Sequence, residues 1–181
     1  GPVWDFGEDD MQGQIIKFIE NLPFEVEELN LGDDFNEAAN SHEIIMNGSI
    51  AKSLSQYYEN EKLHPFTISR IEAGIPVSAK QYIEAIENAK KMQQTLNKFF
   101  HKFDAIITPA APGQAPRDLM NTGNAIFNGY WTMMGTPAIS LPLLQGRDNL
   151  PMGIQIISSW NEDYKLIKIA EYIMQNIKKA C

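Results

Sequence analysis

The sequence predicts an α/β fold in which helices come first and strands late. Three observations carry this. Residues 1–103 repeat apolar side chains at helical spacing and hold two S/D-x-x-E/Q signals of the capping-box type. After Phe103 the pattern changes to short apolar runs, AIIT, AISLPLL and MGIQIIS, cut by Pro, Gly and Asn. Charge also thins out there: between Asp118 and Arg147 none occurs, as expected of a buried interior. With 44% hydrophobic and 21% charged residues, the chain can bury a sizeable core, which excludes a disordered tail or a collagen-like fibre.

The elements follow in order. Residues 10–22 set Ile15, Ile16, Ile19 and Leu22 on one helical stripe that Pro23 ends. FEVEEL at 24–29 alternates well enough to predict a short strand. Asp34 with Glu37 predicts a capped helix of some 25 residues, with Ala38, Ile45, Ala51, Leu54 and Tyr58 inward. The segment around His64-Pro65 and Gly74-Ile75-Pro76 reads as looser. Ser78 with Gln81 caps a second long helix, whose inner line is Tyr82, Ile86, Ala89, Gln93, Leu96, Phe100 and Phe103.

Downstream, residues 105–108 form a short strand stopped by Pro109, and APGQAPRDLMNTGN forms a loop. Residues 124–134 predict a buried helix, 138–144 and 152–158 strands, and GRDN at 146–149 the turn between them. Asn161 is expected to cap a closing helix with Leu166, Ile167, Ala170, Ile173, Met174 and Ile177 inward. Glu162 and Asp163 in its first turn and Lys178 and Lys179 in its last suit the helix dipole. The whole chain is thus expected to be one segment, mainly helical over 1–103, with strands, a buried helix and a closing helix over 104–181.

Fifteen Lys and Arg against 23 Asp and Glu give a net charge of −8 with no basic stripe. A nucleic-acid partner would need such a stripe to displace phosphate counterions, so none is expected. The imbalance sits in residues 1–43, which carry twelve acids and one base, Lys17. A solvated outer face is the plain meaning of that run, and docking to a basic partner the sharper one. The uncharged stretch 119–146 is long enough to cross a membrane, but Gly123, Gly129, Gly135, Pro137 and Pro142 break it, so no membrane span is expected. No basic segment with an apolar run opens the chain, which predicts no secretory signal. The one cysteine, Cys181, allows no disulfide within the chain and points to a reducing cytoplasm.

Local chemistry is sparse. His42, His64 and His101 stand apart without metal-ligand spacing, and neither H-E-x-x-H nor a phosphate-binding glycine loop occurs. Ser158-Ser159 sits at a strand end, but the following Trp160 and Asn161 do not build an oxyanion site, and a structural role is expected. The Gly/Pro/Asn-punctuated stretch 108–153 is the informative part. Phe127, Tyr130, Trp131, Met133 and Met134 offer apolar surface, while Thr122, Asn128 and Thr132 offer polar contacts. Such a mixture suits a small-molecule pocket, and it equally suits a plain core.

The runs FDAIITPAAPGQAP (103–116), TGNAIFNGYWTMMGTPAISLPLL (122–144) and LPMGIQIIS (150–158), closed by a helix, resemble in order the C-terminal end of amidase-signature enzymes. Upstream, SAKQYIEAIENAKKMQQTLNKFFHKFDAIITP resembles the family's long helix leading into the T-P-x-x-P strand. The resemblance is firm from Ser78 onward. It implies an α/β/α sandwich around a large mixed sheet and cleavage of a carboxylic amide to acid and ammonia or amine, without a cofactor. In that family a serine attacks the carbonyl, helped by a second serine in a cis peptide and by a lysine. No position here matches any of the three, so no catalytic residue is assigned, and the chain is expected to be inactive alone. Its partners would be the missing N-terminal catalytic part and, once joined to it, a small-molecule amide.

The resemblance further implies substrate contacts for Thr108, Phe127, Asn128, Trp131 and Thr132, and packing roles for Gly135, Pro137, Ser140 and Gly153. A fragment of this kind would leave a sheet edge and an apolar face open, so self-association is expected. Two alternatives remain at this point: a non-catalytic small-molecule-binding module derived from the amidase scaffold, and an interaction module docking through residues 1–43.

Overall fold

A computed structural model describes residues 3–177. Lys178, Lys179 and Cys181, which entered the sequence reading, lie outside the described residues. The chain divides into two compact units, residues 33–94 and residues 1–32 with 95–181. No helix among the described residues is long and apolar enough to cross a membrane.

The unit 33–94 is helical. Helix α2 (Ala38–Leu54) and helix α3 (Pro65–Gly74) pack closely, and α4 (Ala79–Phe99) begins in the same unit. The contact between α2 and α3 depends on Gly74: a Cβ there would overlap the Asn47 carbonyl oxygen and lie 2.6 Å from the Ala51 Cβ. The second capping box forms as expected. The Gln81 N–H donates to Ser78 Oγ at 3.2 Å, and the Ser78 N–H donates back to Gln81 Oε1 at 3.0 Å.

The first capping box does not form. Residues Asp33–Phe35 make a 3₁₀ turn, α2 starts only at Ala38, and Glu37 makes no side-chain cap. Asp34 instead pairs with Lys91 at 2.6 Å, a long-range partner invisible to a four-residue motif. α2 has 17 residues rather than about 25, and its buried positions are Ala38, Ser41, Asn47 and Ala51. Tyr58 is exposed and donates to Glu72 at 2.6 Å.

The segment read as loose is α3. Pro65 stands at the first helical position and His64 caps it, its Nδ1 accepting the Phe66 N–H at 3.2 Å. On α4 the most buried residues are Ala85, Ala89, Met92 and Leu96: Ala89 and Leu96 of the expected line are buried, while Ala85 and Met92 take the places expected for Ile86 and Gln93. Tyr82, Ile86 and Gln93 are half-buried.

The other unit holds a three-stranded antiparallel sheet of β1 (Ile106–Pro109), β2 (Ala138–Gln145) and β3 (Pro151–Ile157), in the order β1-β3-β2. Strand β3 is central and buried at Met152, Ile154, Gln155, Ile156 and Ile157. The registers align Ile107, Ile156 and Ile139 in one row and Thr108, Gln155 and Ser140 in the next. Successive rows point to opposite faces of the sheet. The expected turn at 146–149 joins β2 to β3, closed by the Asn149 N–H to the Gly146 carbonyl at 2.9 Å.

Helix α6 (Asp163–Asn176) packs on β2 and β3 through Leu166, Ala170 and Ile173. Ile167 and Met174, expected inward, are 50% and 49% exposed. Asn161 is not its cap. That residue takes a left-handed turn, φ +63°, between β3 and α6, and Glu162 occupies the cap position.

Helix α1 (Asp9–Glu20) buries Met11, Ile15 and Phe18, while Ile16 is exposed. Segment 24–29 is irregular rather than a strand. Three glutamates in six positions leave too little apolar surface to pin a register, and Glu27 is drawn instead to Lys102 at 2.6 Å. The buried helix before β2, α5, runs only over Gly129–Met134. Residues 124–128 form turns, with Asn124 Oδ1 accepting the Ile126 N–H at 3.0 Å.

Candidate functional site

The site residues named from the sequence lie on two segments of one unit: Thr108 on β1, and Phe127, Asn128, Trp131 and Thr132 at and within α5. Two amide side chains tie these segments together. Gln155, 2% exposed in mid-β3, donates from Nε2 to the Pro109 carbonyl at 3.0 Å and to the Phe127 carbonyl at 3.3 Å. Asn128 donates from Nδ2 to the Ala110 carbonyl at 3.2 Å. The end of β1 and the entry to α5 are therefore held by neutral donors on consecutive carbonyls of the T-P-x-x-P turn. A chain leaving a strand at proline has carbonyls without ladder partners, and a buried amide is the economical way to satisfy them.

The five residues take different positions. Phe127 and Trp131 are buried in the core. Asn128 is half-buried, its amide committed to Ala110. Thr108 is half-buried beside Gln155 in the sheet, and Thr132 is exposed. Helix α5 ends at Gly135, φ +65°, with the Gly135 N–H on the Thr132 carbonyl and the Thr136 N–H on the Trp131 carbonyl, each at 3.1 Å. That left-handed stop is what glycine supplies at low cost. Gly153 lets β3 approach the turn after β1: a Cβ there would lie 3.1 Å from the Ala110 Cβ.

The electrostatics are neutral. Burial pushes the Tyr130 phenol above its ordinary range, which keeps it protonated. His42, in the helical unit, is lowered, chiefly by burial, with Glu43 opposing and Arg70 adding to the shift. Among the described residues no group of three His, Cys, Asp or Glu could hold a metal ion.

Gln155 lies in the run LPMGIQIIS that carries the resemblance, but it received no role from its sequence context. A glutamine inside the otherwise apolar run MGIQII was the available signal, since a buried amide is kept only where it finds partners. Ser158, discounted as a nucleophile, has a fully buried Oγ without a hydrogen-bond partner among the described residues.

The sequence model of the Amidase family matches residues 20–167. The chain belongs to the amidase family. Among curated relatives, it is 28% identical over 113 residues to a glutamyl-tRNA(Gln) amidotransferase subunit of Wolbachia sp. subsp. Brugia malayi, covering 57% of this chain and 23% of that one. A crystal structure of an amidase superposes with a TM-score of 0.82 at 19% identity, over 98% of this chain and 44% of that chain. The corresponding glutamyl-tRNA(Gln) amidotransferase subunit of Thermotoga maritima superposes with a TM-score of 0.67 at 24% identity, over 93% of this chain and 39% of that one. The mixed α/β fold expected from the sequence is thus shared with amidases. The chain spans less than half the length of these proteins.

Proposed function

We propose that this chain acts as the C-terminal part of an amidase-family hydrolase that cleaves a carboxylic amide to acid and ammonia or amine. It supplies sheet strands and one wall of the substrate pocket. The serine, cis-serine and lysine of the family come from chain outside these 181 residues, and the chain alone is inactive. The observation that carries this reading is the double amide clamp, because it fixes relative to each other the two segments that bear all five motif residues. Exposed Thr132 and half-buried Thr108 contact substrate. Phe127 and Trp131 support the wall from behind, and Asn128 positions it. The single cysteine suits a reducing cytoplasm.

The test compares the chain alone with the chain joined to the upstream part of its gene, measuring ammonia release from glutamine and from aliphatic and aryl amides. Release by the joined protein only is expected, and Thr132→Ala in it should raise KM by roughly 3–10-fold, the worth of about one hydrogen bond. Turnover by the chain alone, or none by the joined protein, would overturn the proposal.

A further inference from the structure

Helix α6 carries two apolar faces. Leu166, Ala170 and Ile173 are buried on the inner one. Tyr164, Ile167 and Met174 are exposed, Tyr164 to 75%, and with Glu171 they repeat at steps of three, four and three residues. That spacing sets the four on one stripe, about 110° around the helix axis from the buried face. A surface helix needs one apolar stripe to hold its place in a fold, and a second one standing in water marks a surface that meets a partner. The charges beside it are mixed. Lys168 pairs with Glu171 at 2.8 Å, and its Nζ lies 5.7 Å from the centre of the Tyr164 ring. In a chain of net charge −8, α6 balances Asp163 and Glu171 against Lys165 and Lys168, so two copies can meet here without like-charge repulsion.

We infer that α6 is the seat of a two-fold dimer, in which its outer stripe pairs antiparallel with the same stripe of a second copy. The stripe is complementary to itself. With the two-fold axis at the level of Ile169, Tyr164 faces Met174 of the second copy, a ring–sulfur contact. Ile167 faces the aliphatic stem of the copy's Glu171. The two Lys168–Glu171 pairs then stand side by side, each ammonium beside the carboxylate of the other copy, and the symmetry makes every contact twice. An acidic or a basic partner would set one member of each pair against its own sign, and a purely apolar one would bury both charges. The inference goes beyond the proposed function and holds whether or not the protein hydrolyses amides.

Sedimentation velocity of the full-length gene product tests it, since surfaces open only in this chain do not contribute there. A dimer is expected. Ile167→Asp, at a position exposed in the fold, should raise its Kd by roughly 30-fold or more and leave the thermal melt unchanged. Lys168→Glu and Glu171→Lys should each weaken the dimer. An equimolar mixture of the two should dimerise again, because opposite signs then meet across the axis, whereas a pair acting only within one helix stays broken. A full-length monomer at the highest soluble concentration would overturn the inference. So would a dimer untouched by Ile167→Asp, which would use another surface. A monomer whose Ile167→Asp variant melts lower would overturn it too, because the stripe would then be covered by chain of the same protein.

Discussion

Gln155→Leu isolates what the buried amide contributes. The substitution keeps most of the side-chain volume and removes the Nε2 donor from the Pro109 carbonyl at 3.0 Å and the Phe127 carbonyl at 3.3 Å. The shorter bond is worth about 1 kcal/mol and the longer about half of that, and each buried acceptor left without its donor adds to the loss. Against this, leucine gains a little apolar burial. A net destabilisation of about 2 kcal/mol is expected, or a melting point lower by roughly 4–8 °C for a chain of this size. Urea unfolding followed by far-UV circular dichroism and tryptophan fluorescence measures it. A loss under about 0.5 kcal/mol, within the range of an ordinary surface change, would refute the idea that the amide holds β1 to α5.

Gln155→Glu sharpens the same test. The introduced carboxyl would face two carbonyl oxygens in a buried site, and burial raises its folded-state pKa above the unfolded value of about 4.3. Such a group is protonated in both states below the unfolded value, where it can still donate one hydrogen bond. Stability is then lost as pH rises from there through the folded-state value. The Glu variant should therefore be closest to the parent near pH 4 and fall away toward neutrality, a pH profile that the Leu variant lacks.

Three further outcomes are expected. Ser158→Ala should raise stability by roughly 1 kcal/mol in thermal melts, because it deletes a fully buried hydroxyl that has no partner; a loss of that size would mean the hydroxyl is satisfied. Gly74→Ala should cost about 3 kcal/mol or more and reduce helical circular dichroism, since its Cβ would overlap the Asn47 carbonyl; a neutral result would show that α2 and α3 can part cheaply. Gly135→Ala should cost only about 1 kcal/mol by urea unfolding, because the left-handed φ is strained for alanine while the added Cβ meets Trp160 at an ordinary 3.6 Å.

Local pattern was enough to locate most elements. Alternation and punctuation placed β1, β2 and β3 within a residue or two, and the Ser78–Gln81 box marked the start of α4, because those signals are short-range chemistry between neighbours in sequence. The family was reached differently, through the resemblance carried by segments 103–116, 122–144 and 150–158. Local pattern failed where distant partners decide. Asp34 left its capping role for Lys91, Glu27 left a strand for Lys102, and on α4 Ala85 and Met92 are buried where Ile86 and Gln93 were expected. The His64-Pro65 start of α3 was legible in principle, since proline at the first helical position is itself a local signal.

For the site, the order of residues along the chain was enough to say which of them belong to the motif. Their different positions emerged only on folding: Phe127 and Trp131 in the core, Asn128 and Gln155 spent on carbonyls of the β1 turn, Thr108 half-buried and Thr132 exposed. The central place of β3 was likewise settled by the order β1-β3-β2. Strand order and the partners of a buried amide depend on contacts dozens of residues apart along the chain, and no periodicity in a single segment encodes them.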